Sequence, residues 1–280
     1  MSWINVKFKK KLIRLAATIG LIGITLIWLL PIFWLILTSL RDPSDTFYSG
    51  LLPKFLTFSS FREVFTQSLY ITSMRNSAVV ACSAATISII MGTLAAYGFA
   101  RFQYRGKKGF QNLLLVVRLF PPVLLAITFF LVAGKLGIYD TQYPLIVANV
   151  FFTLPLATWN LRTMFANLPV ELEEAAWLDG ATRLGGIIKV LFPLMLPSIV
   201  TTWAYAYLLS WNEYLFAMSF IRSPSKQMIV TAIAGNIGQY AINYNLLIAA
   251  AMMATVPLLV VFLFIQRYII SGQSLGAIKG

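Results

Sequence analysis

Long apolar runs recur along this chain, at residues 16–37, 77–99, 113–132, 144–164, 199–220 and 246–265. Each is close to the roughly 20 residues that a helix needs to cross about 30 Å of hydrocarbon. The runs predict an all-α, polytopic membrane protein with six transmembrane helices, organised as a single domain over residues 1–280. Composition agrees. Hydrophobic residues make up 59% and charged residues 11% of the chain, against about 45–50% and about 25% in soluble domains. The second run is rich in Ala, Ser, Thr and Gly, including Ala81, Ala84, Ala85, Gly92 and Ala96. Small residues let helix backbones approach closely, so this span is expected inside the bundle.

The net charge of +13 raises nucleic acid as a partner. The charges flank the apolar runs, however, and membrane topology explains them better. Fourteen of the 22 Lys and Arg fall on the side of the N-terminus and seven on the other, with Arg118 inside the third run. The excess predicts that both termini are cytoplasmic. The N-terminal Lys cluster followed by apolar residues looks like a signal peptide. Its apolar stretch continues to Leu37 with no A-x-A site, so it reads as a retained first span. Histidine is absent and Cys82 is the only cysteine, which excludes an internal disulfide and His/Cys zinc sites.

Between the fourth and fifth runs lies the most informative segment, residues 168–193. Pro169 suits a first helical turn, and Glu171, Glu173 and Glu174 follow at the positive end of the helix dipole. Gly180 can close that helix in a left-handed conformation. Thr182 can cap a second short helix running to Pro193, weakened by Gly185 and Gly186. Two short helices joined by a tight turn form a plausible knob for a groove on another protein.

This loop resembles the EAA loop of ABC importer permeases: E-A-A, three residues, G, nine residues, then I-x-L-P. Here Glu174, Ala175 and Ala176 are followed by Trp177, Leu178, Asp179 and Gly180. Nine residues later come Val190, Leu191, Phe192 and Pro193, with Val for Ile and Phe for Leu. Residues 95–102, 135–141 and 210–213, with the ending Gly276-Ala277-Ile278-Lys279-Gly280, are similar to maltose/trehalose-type sugar permeases. The resemblance implies a non-catalytic permease subunit of a binding-protein-dependent type I importer in the bacterial inner membrane. It implies a second homologous permease, two ATPase subunits that hold ATP and Mg and grip the EAA loops, and an extracytoplasmic sugar-binding protein. It assigns Glu174, Ala175, Ala176, Asp179, Gly180 and Pro193 to coupling, and Gly276, Lys279 and Gly280 to an ATPase-contacting tail. Residues 272–280 are too short and Gly-rich to fold alone.

The chain carries no G-x-x-x-x-G-K-[ST] loop and no catalytic constellation, so the energy source is another polypeptide. Glu213 is the one acidic residue within a run. Thr202, Tyr205, Asn212 and Glu213 are expected on one face of the fifth span, where they either line a sugar pathway or brace neighbouring helices. Arg118 reads as snorkelling toward the cytoplasmic interface. Two alternatives stay open: the same architecture carrying an amino acid or polyamine, and a self-sufficient secondary transporter or channel.

Overall fold

The computed structural model describes residues 2–42, 53, 55–237 and 243–276. The described residues are helical apart from turns, extended links and isolated bridging residues, among them the bridge between Arg41 and Leu56. They fall into two compact units: Met1–Thr66 with Asn236–Met253, and Gln67–Gly235 with Ala254–Gly280.

The first unit holds α1 (Ser2–Ser39) and α2 (Ser59–Thr66). Within residues Lys10–Ser39 of α1 an 18-residue stretch reaches a mean hydropathy of 2.4, and the segment is long enough to cross a membrane. Where α1 ends, the Asn245 amide donates to the carbonyls of Arg41 and Asp42, at 3.5 and 3.2 Å.

The second unit is built on α3 (Ser68–Arg101), α4 (Lys107–Val117), α5 (Pro122–Lys135) and α6 (Gln142–Asn167). There follow α7 (Glu171–Leu178), α8 (Arg183–Gly186) and α9 (Phe192–Trp211), then α10 (Leu215–Phe220) and α11 (Ile229–Ala234). The last helix, α12 (Tyr244–Gly276), begins in the first unit. Helices α3, α6 and α9 pack on one another. The small residues of α3 make this possible, since Ala81, Ala84, Ala85, Gly92 and Ala96 are all buried. A Cβ on Gly92 would lie 3.1 Å from the Ala157 Cβ and 3.2 Å from the Thr158 nitrogen. Four residues earlier, the Ser88 and Thr153 hydroxyls share a buried hydrogen bond of 2.6 Å.

Five helical segments are long and apolar enough to cross a membrane, and α4 with α5 supplies a sixth only as a bent pair. The third span is therefore not one helix, contrary to the sequence expectation. Its halves meet at 95°. The break falls at Pro121-Pro122, because a residue before proline is driven out of the α region. Pro122 instead opens α5 at a position where its missing N–H costs nothing. Arg118 caps the C-terminus of α4 at this break.

The fifth span also departs from a simple helix at both ends. The second loop helix does not stop at Pro193. Helix α8 passes through a π-turn, Ile187–Leu191, directly into α9, with Pro193 in the first turn of α9. Proline lacks an N–H and crowds the carbonyl four residues back. A wider turn immediately before Pro193 relieves that crowding. At the far end α9 closes at Trp211, so Asn212 and Glu213 lie in the link to α10 rather than on a continuous helical face.

Candidate functional site

The loop between α6 and α9 forms from the residues that sequence reading singled out. Leu168 is extended, as a residue before proline must be, and Pro169 leads into α7. The Ala181 N–H donates to the Ala176 carbonyl and the Gly180 N–H to the Trp177 carbonyl, both at 3.0 Å. That pair of bonds is a Schellman closure, and Gly180 takes the left-handed φ of +83° that it requires. The Thr182 hydroxyl then caps α8 by accepting from the Gly185 N–H at 3.1 Å. Gly186 packs against α7, where a Cβ would sit 3.6 Å from Trp177 and 3.8 Å from Ala176.

A contact absent from the sequence reading holds this hairpin to the bundle. The Arg101 Nε, in the last turn of α3, donates to Glu173 Oε1 at 2.5 Å. Arg101 Nη2 donates to the Leu168 carbonyl at 3.0 Å, and the Tyr97 hydroxyl to Glu173 Oε2 at 3.0 Å. The Arg101 and Glu173 side chains are only 11% and 3% exposed. Around this latch Tyr97 meets Phe165 edge-on, and the Arg183 guanidinium lies over both Phe102 and Trp177, 5.4 and 5.3 Å from their ring centres. Tyr97 and Arg101 stand four residues apart, hence on one side of a helix. That spacing was the available signal.

With Glu173 and Ala176 buried, the outward face of the hairpin consists of Glu174, Ala175, Asp179 and Gly180. Beside them Leu178 is 89% exposed, and Leu184 and Ile188 are exposed as well.

The four residues expected on one face of the fifth span are not brought together. Thr202 is buried, whereas Tyr205 is exposed beside a 250 Å³ cavity walled by Leu258 and Phe262. The Asn212 amide turns back to the Leu208 carbonyl at 2.8 Å. The Glu213 carboxylate accepts from the N–H groups of Phe216 and Ala217, at 2.8 and 3.0 Å, and so caps α10. Glu213 also borders a separate cavity of 300 Å³, shared with Arg118, Asn149, Phe152, Thr153 and Phe216. Arg118 thus faces this cavity at the break between α4 and α5. Among the described residues neither Arg118 nor Glu213 is in an ion pair. Helix α12 runs to Gly276, further than the sequence suggested, while Lys279 and Gly280 lie outside the described residues.

On the opposite end of the bundle, Asp140 ties down the connection between α10 and α11. Asp140 adopts a positive φ of 56° after Gly137 at 68°. Its carboxylate accepts from the N–H groups of Arg222 and Ser223, at 2.9 and 3.0 Å, and from the Ser223 hydroxyl at 2.5 Å. Lys226 adds bonds to the Asp140 carbonyl and carboxylate. The Ser223 bonds, with help from Arg222 and Lys226, hold this carboxyl well below the usual carboxylate range. Asn76 anchors the same segment from α3, donating to the carbonyls of Ser225 and Gln227. Among the described residues no cluster of His, Cys, Asp or Glu could hold a metal ion.

Comparison with known proteins gives a consistent picture. Residues 88–274 match the family described as binding-protein-dependent transport system inner membrane component. The trehalose transport system permease protein SugB of Mycobacterium tuberculosis is 32% identical over 254 residues, 90% of this chain and 93% of that protein. The melibiose/raffinose/stachyose import permease protein MelC of Bacillus subtilis is 32% identical over 90% of this chain and 91% of its own length. The trehalose/maltose transport system permease protein MalG of Thermococcus litoralis is 30% identical over 95% and 97%, respectively. Among solved structures, a bacterial ABC transporter involved in the import of the acidic polysaccharide alginate matches with a TM-score of 0.75 at 22% identity. That match covers 93% of this chain and 97% of the other.

Proposed function

Since the chain belongs to the family of binding-protein-dependent transport system inner membrane components, we propose that it is one of two permeases in an ATP-driven importer of a sugar. Membership in that family disposes of the self-sufficient transporter or channel. The sugar reading is supported by relatives named for trehalose, maltose and melibiose, which align along nearly their whole lengths. An amino acid or polyamine cargo has no comparable support. The permease itself is non-catalytic. Two separate ATPase subunits bind ATP and Mg, a second homologous permease completes the pathway, and an extracytoplasmic protein delivers the sugar. Both termini are cytoplasmic, in line with the charge asymmetry.

The observation that carries this reading is the hairpin of residues 168–193. It is latched to α3 through Glu173 and continuous with α9, yet presents Glu174, Ala175, Leu178, Asp179 and Gly180 outward. A rigid knob with two exposed acids and an exposed leucine suits a cleft on an ATPase subunit. Ala176 supports it from beneath, and Pro193 sets where it joins the span. Gly276, Lys279 and Gly280 belong to a C-terminal tail that also contacts the ATPases. For the sugar path, Glu213 is the strongest of the four candidates because it shares a cavity with the charged Arg118 and the polar Asn149 and Thr153. Asn212 adjoins it, while Thr202 and Tyr205 serve the path only from the flank of α9.

The test is a complex reconstituted in lipid nanodiscs, assayed for uptake of labelled mono- and disaccharides and for sugar-stimulated hydrolysis. Glu174→Ala and Gly180→Val are expected to loosen the ATPases and uncouple hydrolysis from uptake. Wild-type transport by both variants would remove the hairpin from the coupling role. Absence of uptake for every sugar would overturn the cargo.

A further inference from the structure

A second polar cavity, of 510 Å³, lies where the link from α3 enters α4 and faces α6; it is lined by Tyr104, Lys107, Lys108, Gln111 and Arg162. It contains cationic side chains and no carboxylate. Two of its donors lack a partner: the Gln111 Nε2 and the Arg162 Nε are buried from solvent and make no hydrogen bond. Buried donors are ordinarily paired, and an unpaired one calls for an acceptor that the chain does not supply. The Lys107 ammonium reaches the Phe102 carbonyl at 3.0 Å and keeps its remaining donors. The Lys108 ammonium forms no ion pair among the described residues.

The local backbone reinforces the same demand. Helix α4 opens at Gly106 with φ of +86° and no side-chain cap, and its first turn carries Lys107 and Lys108 but no acid. Positive side chains at a positive helix end repel the dipole unless an anion sits among them. The helix that provides this end turns an apolar face outward immediately beyond it, with Phe110, Leu113 and Val116 exposed on one side. Tyr104 is exposed in the wall of the cavity, as a tyrosine at a membrane interface is.

We infer that this cavity is a binding site for the phosphate of an anionic phospholipid, with the acyl chains lying along α4. Arg162 and Gln111 donate to the phosphate oxygens from below, and Lys107 and Lys108 close on it from the α4 side. The adjoining apolar face selects a lipid over a free phosphate. Basic pockets between spans on the cytoplasmic side are suited to such headgroups.

The experiment uses the assembled complex in detergent, titrated with phosphatidylglycerol and, separately, phosphatidylcholine while bound lipid is counted by native mass spectrometry. Phosphatidylglycerol is expected to bind more tightly than phosphatidylcholine. Arg162→Gln and Lys108→Gln are each expected to weaken phosphatidylglycerol by about fivefold, the effect of one basic residue near an anionic surface, and to leave phosphatidylcholine unchanged. Gln111→Leu removes a donor without changing charge and is expected to weaken the same lipid, which a diffuse charge effect would not produce. Variants that bind phosphatidylglycerol like the wild type would overturn the site. Displacement of the lipid by millimolar inorganic phosphate would reassign it to a free anion and overturn the lipid. Protection of the cavity by a partner subunit, seen as no lipid bound in the complex, would overturn it as well.

Discussion

Arg101 and Glu173 stand 72 residues apart in sequence, yet they meet as a buried ion pair that makes the C-terminal end of α3 and the loop hairpin one body. Removing one partner of such a pair leaves the other charge buried and typically costs about 3–5 kcal/mol. Glu173→Gln and Arg101→Ala are therefore expected to lower the thermal unfolding midpoint of the purified complex and raise the ATP hydrolysed per sugar imported. The double exchange Arg101→Glu with Glu173→Arg restores opposite charges and is expected to recover part of the loss. Equal damage in single and exchanged variants would show that charge pairing is not what matters here.

Gly180 provides a cleaner test of backbone than of contact. A Cβ there would meet nothing within 4 Å in this chain, so any penalty inside the permease comes from its φ of +83°. Forcing an L-residue into that region costs about 1–2 kcal/mol. Gly180→Ala is expected to lose a modest part of coupling and Gly180→Asn less, because Asn tolerates the left-handed region. Comparing ATPase retention in pull-downs of the two variants decides it. An alanine variant that binds like the wild type would show that the turn tolerates the strain.

Gly92 makes the opposite case. Its Cβ position is filled by Ala157 and the Thr158 nitrogen on α6, one of them backbone and unable to swing aside. Gly92→Leu overpacks this crossing and is expected to cost about 1–3 kcal/mol, read as a lower unfolding midpoint in detergent. Gly134, with open space at its Cβ position, is the matched control for which Ala is expected to be tolerated.

Asp140 sets a pH expectation. Its carboxyl titrates below its ordinary value of 3.8 in the folded protein. A depressed folded pKa contributes stability above the unfolded value, and that contribution is lost only as pH falls through the folded one. Protection of residues 221–227 from amide exchange is thus expected to be flat between about pH 5 and 8. Asp140→Ala is expected to lose protection throughout that range. A wild-type loss near pH 5 would mean another group governs the segment.

The spans and the hairpin were legible because both depend on short-range rules. Hydropathy pointed to the apolar helices of membrane length among the described residues, and Gly180 and Thr182 announced their turn and cap chemically. Hydropathy is blind to direction, however, and Pro121-Pro122 sits in a run that stays apolar through a 95° bend. The same blindness hid the end of α9 at Trp211, and with it the separation of Tyr205 from Glu213. Glu173 was read as one of three acids serving a helix dipole. Nothing local distinguishes it from Glu174, since only the arrival of Arg101 and Tyr97 from α3 makes one buried and leaves the other free.

Orientation is open to direct labelling. An impermeant maleimide applied to intact cells is expected to label a cysteine at Ser225 and to miss one at Leu178, both being exposed positions. Labelling at Leu178 from outside would invert the topology.

The π-turn at Ile187–Leu191, followed by Pro193 and Pro197, gives the hairpin a mechanical character of its own. Each proline deletes a rung of the backbone ladder, and the wide turn holds its remaining rungs less tightly, so bending stiffness falls over this one stretch. Below it, α7 and α8 are held together by the Schellman closure and the Arg101–Glu173 latch. Above it, α9 is packed against α3 and α6. A joint with fewer backbone rungs between two stiff segments is where angular displacement is expected to concentrate, so a push on the hairpin is expected to emerge as a tilt of α9 about residues 187–197 rather than as a slide along its axis.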